Sequence, residues 1–167
     1  MILRPFTVND VDELLKLIRH PDVTRYVPNL VKDKEALISW LKNRPSTDHE
    51  YLILLGKQVI GECSLDENSG EIGIMLYPEY WRQGYGTAAI KHLMQIAVNL
   101  GINEVYAQTD RRNDACIGLF ESLSFIHCGI GWTLWEGNLE TSPNKFQEIV
   151  ILKKKLEIES KYISNHV

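Results

Sequence analysis

Apolar positions along this 167-residue chain switch between helical and strand-like spacing, and the switches define the predicted elements. Residues 2–6 alternate weakly and lead to Asn9, a favourable helix N-cap. Val11, Leu14, Leu15 and Ile18 then recur at helical spacing, so residues 10–19 read as a helix that His20-Pro21 ends. Residues 21–31, with two prolines and an aromatic, read as a loop. Asp33 caps a second helix reaching about Asn43, with Ala36, Leu37, Trp40 and Leu41 on one side and the turn Arg44 to Asp48 behind it. Trp40, on that helical face, is expected in the core.

From Tyr51 the pattern becomes that of strands. Residues 51–55 are a continuous apolar run, Gly56-Lys57 makes a hairpin turn, and 58–65 returns. The turn Asp66 to Gly70 leads into a strand at 71–77, closed by Pro78. Ile90, Leu93, Met94, Ala97, Val98 and Leu100 recur at helical spacing up to Gly101. Beyond lie a strand at 103–109 and a polar loop at 110–113. A short helix follows at 114–123, with Ile117, Phe120 and Leu123 inward. Residues 125–135 read as a strand, 137–144 as a loop and 146–152 as the last strand. This order predicts a single α/β domain over residues 1–155, with a loosely ordered tail at 156–167.

Composition narrows the function. A hydrophobic share of 44% and a charged share of 24% are those of a globular domain able to bury a core. A net charge of −4 offers no field for nucleic acid, and mild acidity suits a cationic amine. The opening residues are too short an apolar run for a signal peptide, and no stretch approaches a membrane span. Three cysteines without C-x-x-C spacing argue against zinc and against a disulfide framework, which points to a reducing cytoplasm. No His-x-x-x-His pair adds a metal site, and Lys153-Lys154-Lys155 reads as a solvated strand end.

The most informative stretch is Tyr80-Trp81-Arg82-Gln83-Gly84-Tyr85-Gly86-Thr87, where a strand hands over to a helix. A helix N-terminus has unpaired N–H groups and partial positive charge, and glycines let a phosphate approach closely. No Lys-Ser or Lys-Thr follows, so this is not a P-loop, and Ala89 breaks the dinucleotide fingerprint. A nucleotide-phosphate binder using the same loop is therefore a weak rival.

The segment resembles the acetyl-CoA-binding motif of the GNAT superfamily of N-acetyltransferases, Gln/Arg-x-x-Gly-x-Gly/Ala. Gly84 and Gly86 fall in register, and Trp81 replaces the usual Gln or Arg. The Tyr80-Trp81 pair resembles the ribosomal-protein N-acetyltransferase branch. A second motif agrees: Asn113-x-x-Cys116-x-x-x-Phe120-Glu121-x-Leu123-Ser124-Phe125 is similar to the family's Asn-x-x-(Ser/Ala)-x-x-x-Tyr-Glu-x-Leu-Gly-Phe. The resemblance spans nearly the whole chain and is strongest from 71 to 128. It implies a mixed, mostly antiparallel central sheet flanked by about four helices, and acetyl-CoA as co-substrate with no metal. It also implies a homodimer through the final strands.

On the same grounds the coenzyme would be held by Met75, Leu76 and Tyr77, by Arg82, Gln83, Gly84, Tyr85, Gly86 and Thr87, and by Asn113, Cys116 and Phe120. Asn113 also fits a helix N-cap, and Cys116 a small packing residue. Phe120 stands where many relatives have a proton-donating tyrosine, and a phenyl ring has no proton to give. Glu71 matches a general base of part of the superfamily, the other reading being a surface charge; Gln108 replaces another, and Asp110 is a weaker candidate. Arg25, Tyr26 and Trp132 are the acceptor-side residues expected, with Trp135 beside them. The implied function is acetyl transfer by direct attack of a primary amine, a protein N-terminus before a small amine or aminoglycoside. A non-catalytic acyl-CoA-binding domain is the rival.

Overall fold

The computed structural model describes residues 1–27, 33–134 and 146–157. Seven strands and four α-helices follow in the order β1 (Ile2–Pro5), α1 (Val11–Arg19), α2 (Lys34–Asn43), β2 (Asp48–Leu55), β3 (Gln58–Asp66), β4 (Ile72–Leu76), α3 (Tyr85–Asn99), β5 (Glu104–Asp110), α4 (Asp114–Ser122), β6 (Ile126–Leu134) and β7 (Phe146–Lys155). Strands β1 to β4 form an antiparallel sheet in chain order, and β5, β7 and β6 form a second one with β7 in the middle. Among the described residues a single parallel bridge, Glu71 to Tyr106, joins the two sheets, with the Tyr106 N–H on the Gly70 carbonyl at 3.0 Å. The expected mixed sheet is thus two antiparallel sheets meeting at one point.

The period of two along β2 sends neighbouring side chains to opposite cores. Ile53 joins Cys63, Leu65 and Ile72 beneath Ile90, Leu93 and Ala97 of α3 and Phe120 of α4. Leu52 joins Leu14, Leu15 and Ile18 of α1 and Leu37 and Leu41 of α2 on the other face. Helix α2 is capped by Asp33, whose Oδ1 accepts from the Ala36 N–H at 2.8 Å. The start of α1 departs from expectation. Asp10, rather than Asn9, closes the turn, its Oδ2 accepting from the Thr7 N–H and hydroxyl at 2.8 Å each. Trp40 is 38% exposed on the outer side of α2, because Leu37 and Leu41 already fill the stripe that faces the sheet.

Lys153 pairs with Glu104 at 2.9 Å and Lys154 Nζ donates to the Leu123 carbonyl, so the lysine run is tied into the second sheet. Residues 28–31 of the first loop, Trp135, the loop at 137–144 and the tail beyond residue 157 lie outside the described residues.

Candidate functional site

Beyond the Glu71 bridge β4 and β5 part, and between them opens a cleft of about 830 Å³ floored by α3 and α4. Antiparallel pairing decides which backbone groups face it. The Tyr77 N–H donates to the Ile60 carbonyl at 3.0 Å, and the register sets Met75 against Glu62 and Gly73 against Ser64. Alternation therefore turns the polar groups of Gly73, Met75 and Tyr77 towards β3 and those of Ile74 and Leu76 towards the cleft. Of the three strand residues expected to hold the coenzyme arm, only Leu76 has its backbone groups turned to the cleft. Met75 lines the cleft by its side chain, and Tyr77 turns away to meet the His20 ring edge-on at 5.9 Å.

At the far end of β4 the chain tightens into the loop before α3. The Trp81 indole Nε1 donates to the Leu76 carbonyl at 2.8 Å, tying the loop to the strand end. Arg82 (φ 59°) and Gly84 (φ 84°) are both left-handed, a conformation that favours glycine at the second. Helix α3 then starts with no side-chain cap and no acidic residue in its first turn. Ala88 is the first residue to bond back, to the Gly84 carbonyl at 3.0 Å, which leaves the N–H groups of Tyr85, Gly86 and Thr87 without intrahelical partners. These donors and the helix dipole make an anion site, with Arg82 on the same cleft wall.

The two glycines have different reasons. A Cβ on Gly84 would meet nothing within 4 Å, so the space above it is open to a phosphate. A Cβ on Gly86 would lie 3.1 Å from Leu119 Cδ2, so Gly86 serves the packing of α3 on α4. Thr87, Asn113 and Cys116 also line the cleft.

Gln83 and Tyr85 do not line it. The Gln83 amide donates to the Glu79 carbonyl at 2.6 Å, and the Tyr85 ring packs edge-on against Tyr80 at 6.1 Å. Asn113 Oδ1 caps α4 at the Cys116 N–H, 3.2 Å away, and its amide donates to the Thr109 hydroxyl at 3.0 Å. Burial pushes the Cys116 thiol up, which suits packing and not nucleophilic attack. Phe120 touches the cleft wall, but its ring is 1% exposed and stacks edge-on with Phe125 at 4.9 Å.

The opposite end of the cleft is built from side chains. Glu71 Oε2 accepts from the Tyr106 hydroxyl at 3.0 Å and Oε1 from the Gln108 amide at 2.8 Å. The residue expected as a base or a surface charge is therefore a fixed carboxylate on the wall. Arg25 and Tyr26 line the cleft, with Arg25 paired to Asp22 at 2.6 Å. Trp132 does not line it: its ring stands 67% exposed on β6, and Thr133, one step along the strand, points inward instead. Asp110 is almost fully buried. Burial pushes its carboxyl up, but Arg112 wins and holds it below the ordinary value, through side-chain bonds at 2.9 and 2.6 Å and the backbone N–H at 2.7 Å. With Gln147 donating as well, Asp110 is saturated and organises the end of β5.

Sequence reasoning missed Glu62. It lines the cleft from β3 at 8% exposure, and burial, then the neighbouring Glu50, pushes its carboxyl up to about 8. Glu50 is itself pushed up to about 7 by burial, although Arg44 Nη1 lies 2.7 Å away. The available signal was a lone carboxylate in the apolar run Val59-Ile60-Gly61-Glu62-Cys63. Among the described residues no group of three or more His, Cys, Asp or Glu side chains could hold a metal ion, and no helix is long and apolar enough to cross a membrane.

A family model described as an acetyltransferase (GNAT) domain matches residues 1–126. No curated protein matches the chain. Among solved structures, a ribosomal-protein-alanine N-acetyltransferase from Brucella melitensis is similar at 21% identity and a TM-score of 0.74, over 93% of this chain and 100% of that one. A spermidine N-acetyltransferase from Vibrio cholerae, in complex with CoA and spermine, gives 16% identity and 0.74 over 92% and 94%. A domain from Methanocaldococcus jannaschii gives 22% and 0.76 over 93% and 97%. At these identities the likeness is one of fold.

Proposed function

Because the chain belongs to the GNAT acetyltransferase family, its reaction is acetyl transfer from acetyl-CoA to a nitrogen, and we propose that the acceptor is a primary amine drawn in as a cation along the Glu71 side of the cleft. A protein N-terminus is the first candidate and a small amine the second. The observation that carries this reading is Glu71 itself, fixed by Tyr106 and Gln108 where the two sheets part. Asp22 offsets the charge of Arg25 on the facing loop, so this end keeps a negative surplus. Two structural relatives are named for acetylating ribosomal-protein alanine and spermidine, and both acceptors are amines.

At the other end the uncapped start of α3, with Arg82, would hold the coenzyme phosphates. The outward backbone groups of Ile74 and Leu76 would hold its arm and bring the thioester between the two ends. The chemistry is addition of the amine nitrogen to the thioester carbonyl, followed by loss of the thiolate.

The test is thiol release from acetyl-CoA with a panel of peptides bearing free N-termini, polyamines, aminoglycosides and amino acids. The expected result is acceptor-dependent release, with Glu71→Gln raising the acceptor KM about tenfold, the size of one lost charge-assisted contact. Acetyl-CoA bound without release to any amine would refute the reading.

A further inference from the structure

We propose that Glu62 is the catalytic residue that takes the proton from the acceptor ammonium, directly or through one water, leaving Glu71 to guide and hold the acceptor. This rests on the reading that a primary amine is the acceptor. A primary amine arrives protonated at neutral pH, with an ordinary pKa near ~10, and has no lone pair for attack until a base removes a proton.

The two carboxylates on the wall differ in environment and in position. Each oxygen of Glu71 already accepts a hydrogen bond, from Tyr106 and from Gln108, which fixes its orientation and still leaves a lone pair on each oxygen for the acceptor cation. Glu62 accepts none from any described residue, and the influences on its carboxyl are burial and the nearby charge of Glu50. A buried, donor-free carboxylate has higher proton affinity than an exposed one, which is what a base for an ammonium requires.

Position agrees. Glu62 stands opposite Met75, between Ile74 and Leu76, the residues whose backbone groups face the cleft. Glu71 lies four residues further back along the strand, about 13 Å at the usual rise per residue. Between them on the same face is Gly73, whose lack of a Cβ makes room for the Ser64 hydroxyl, 2.7 Å from where a Cβ would lie.

The charged groups around Glu62 are few. Glu50, with its partner Arg44, approaches from β2, diagonally along the sheet. Glu71 is on β4, and the Asp22–Arg25 pair lies across the cleft. The side chains directly opposite Glu62 are Leu52 and Met75.

In the step, an ammonium N–H proton moves to a Glu62 oxygen and the freed lone pair forms the C–N bond at the thioester carbon. The C–S bond breaks, and the departing thiolate takes the second nitrogen proton. Glu62 returns its proton to solvent, so amide, thiol and one proton leave for each ammonium and thioester consumed.

The experiment measures kcat and KM against pH for the full chain, with acetyl-CoA and either a peptide with a free N-terminal alanine or spermidine. Wild type is expected to show a rising limb in kcat. Glu62→Gln, which keeps shape and neutrality, should lose that limb and at least about 100-fold in kcat, with acetyl-CoA affinity by calorimetry within twofold of wild type. Glu71→Gln should keep the limb and raise the acceptor KM. Glu62→Asp should keep a displaced limb at intermediate rate, and it decides the matter if Glu62→Gln does not fold.

A folded Glu62→Gln, or failing that Glu62→Asp, with wild-type kcat and an unmoved limb overturns the proposal and leaves amine acetylation standing. A wild type silent with both acceptors and with the wider amine panel overturns that reading and this proposal together.

Discussion

The two ends of the cleft are made of different material. The end proposed for the coenzyme is backbone: three free N–H groups at the start of α3, two left-handed residues before them, and outward-facing peptide groups on β4. The end proposed for the acceptor is side chain: Glu62 from β3, Glu71 at the foot of β4, Gln108 and Asp110 from β5, and Arg25 and Tyr26 from the loop after α1. Backbone donors bind whatever anion fits and tolerate substitution around them, whereas side-chain walls change character one residue at a time. On the proposed reading, generic recognition of the coenzyme and particular recognition of the acceptor would sit within one cavity without competing for the same atoms.

The sharpest way to break this contrast is to put a charge into the backbone end. Gly84→Asp should weaken acetyl-CoA binding by about 30-fold or more, since a carboxylate replaces an attractive helix terminus with a repulsive one. Gly84→Ala, which meets open space, should bind nearly normally and lose only about 1 kcal/mol of stability to its left-handed backbone. Calorimetry beside thermal melts separates the two variants. Equal binding losses would mean that the loop acts through conformation and not as an anion cradle.

Gly86→Val tests the second glycine and should do the reverse. It crowds Leu119 and costs roughly 2 kcal/mol in denaturant unfolding, the usual penalty of overpacking.

The acceptor end should reveal itself through pH. The carboxyl of Glu62 sits at about 8 in the fold against an ordinary 4.5, so between those values the native state binds more protons than the unfolded chain. The contribution of Glu62 to stability is then fullest below about 4.5 and declines as pH rises through about 8. Glu50, pushed up to about 7, adds to the same slope. Glu62→Gln should flatten the decline by on the order of 1 kcal/mol in urea titrations at pH 5 and pH 8; an unchanged slope would mean Glu62 is solvated.

The smallest effect expected is that of Trp81→Phe. Losing the indole bond to the Leu76 carbonyl should raise the KM for acetyl-CoA about threefold and leave the acceptor KM alone, a net hydrogen-bond contribution of under about 1 kcal/mol.

Legibility in the sequence followed the same division. The strand–loop–helix geometry could be read because its parts are consecutive: strand, Pro78, Trp81, Gly84, Gly86 and an amphipathic helix lie within thirty or so residues. The elements followed from periodicity for a similar reason, with boundaries moving by a few residues at most, as where 51–55 became Asp48–Leu55.

The acceptor wall was less visible because strand pairing between distant segments decides which side chains share a face. Trp132 and Thr133 show this: one step along β6 separates a solvent-exposed ring from a cleft-lining hydroxyl. Glu62 belongs to no motif, and its burial beside the cleft depends on what surrounds it. Trp40 failed for a related reason, since helical spacing marks a side of α2 but not how much of that side Leu37 and Leu41 already fill.

The single bridge between the sheets has a thermodynamic consequence. Past Glu71 and Tyr106, β4 has an edge whose outward peptide groups at Ile74 and Leu76 have no partner strand from β5. An edge of that kind is an unfinished ladder, and a ligand arm bearing amides can complete it. If acetyl-CoA occupies that edge as proposed, it would act as a folding partner as well as a reactant, linking the native population by mass action to the free concentration of the metabolite consumed. A cell short of acetyl-CoA would hold this protein both idle and nearer its unfolding threshold.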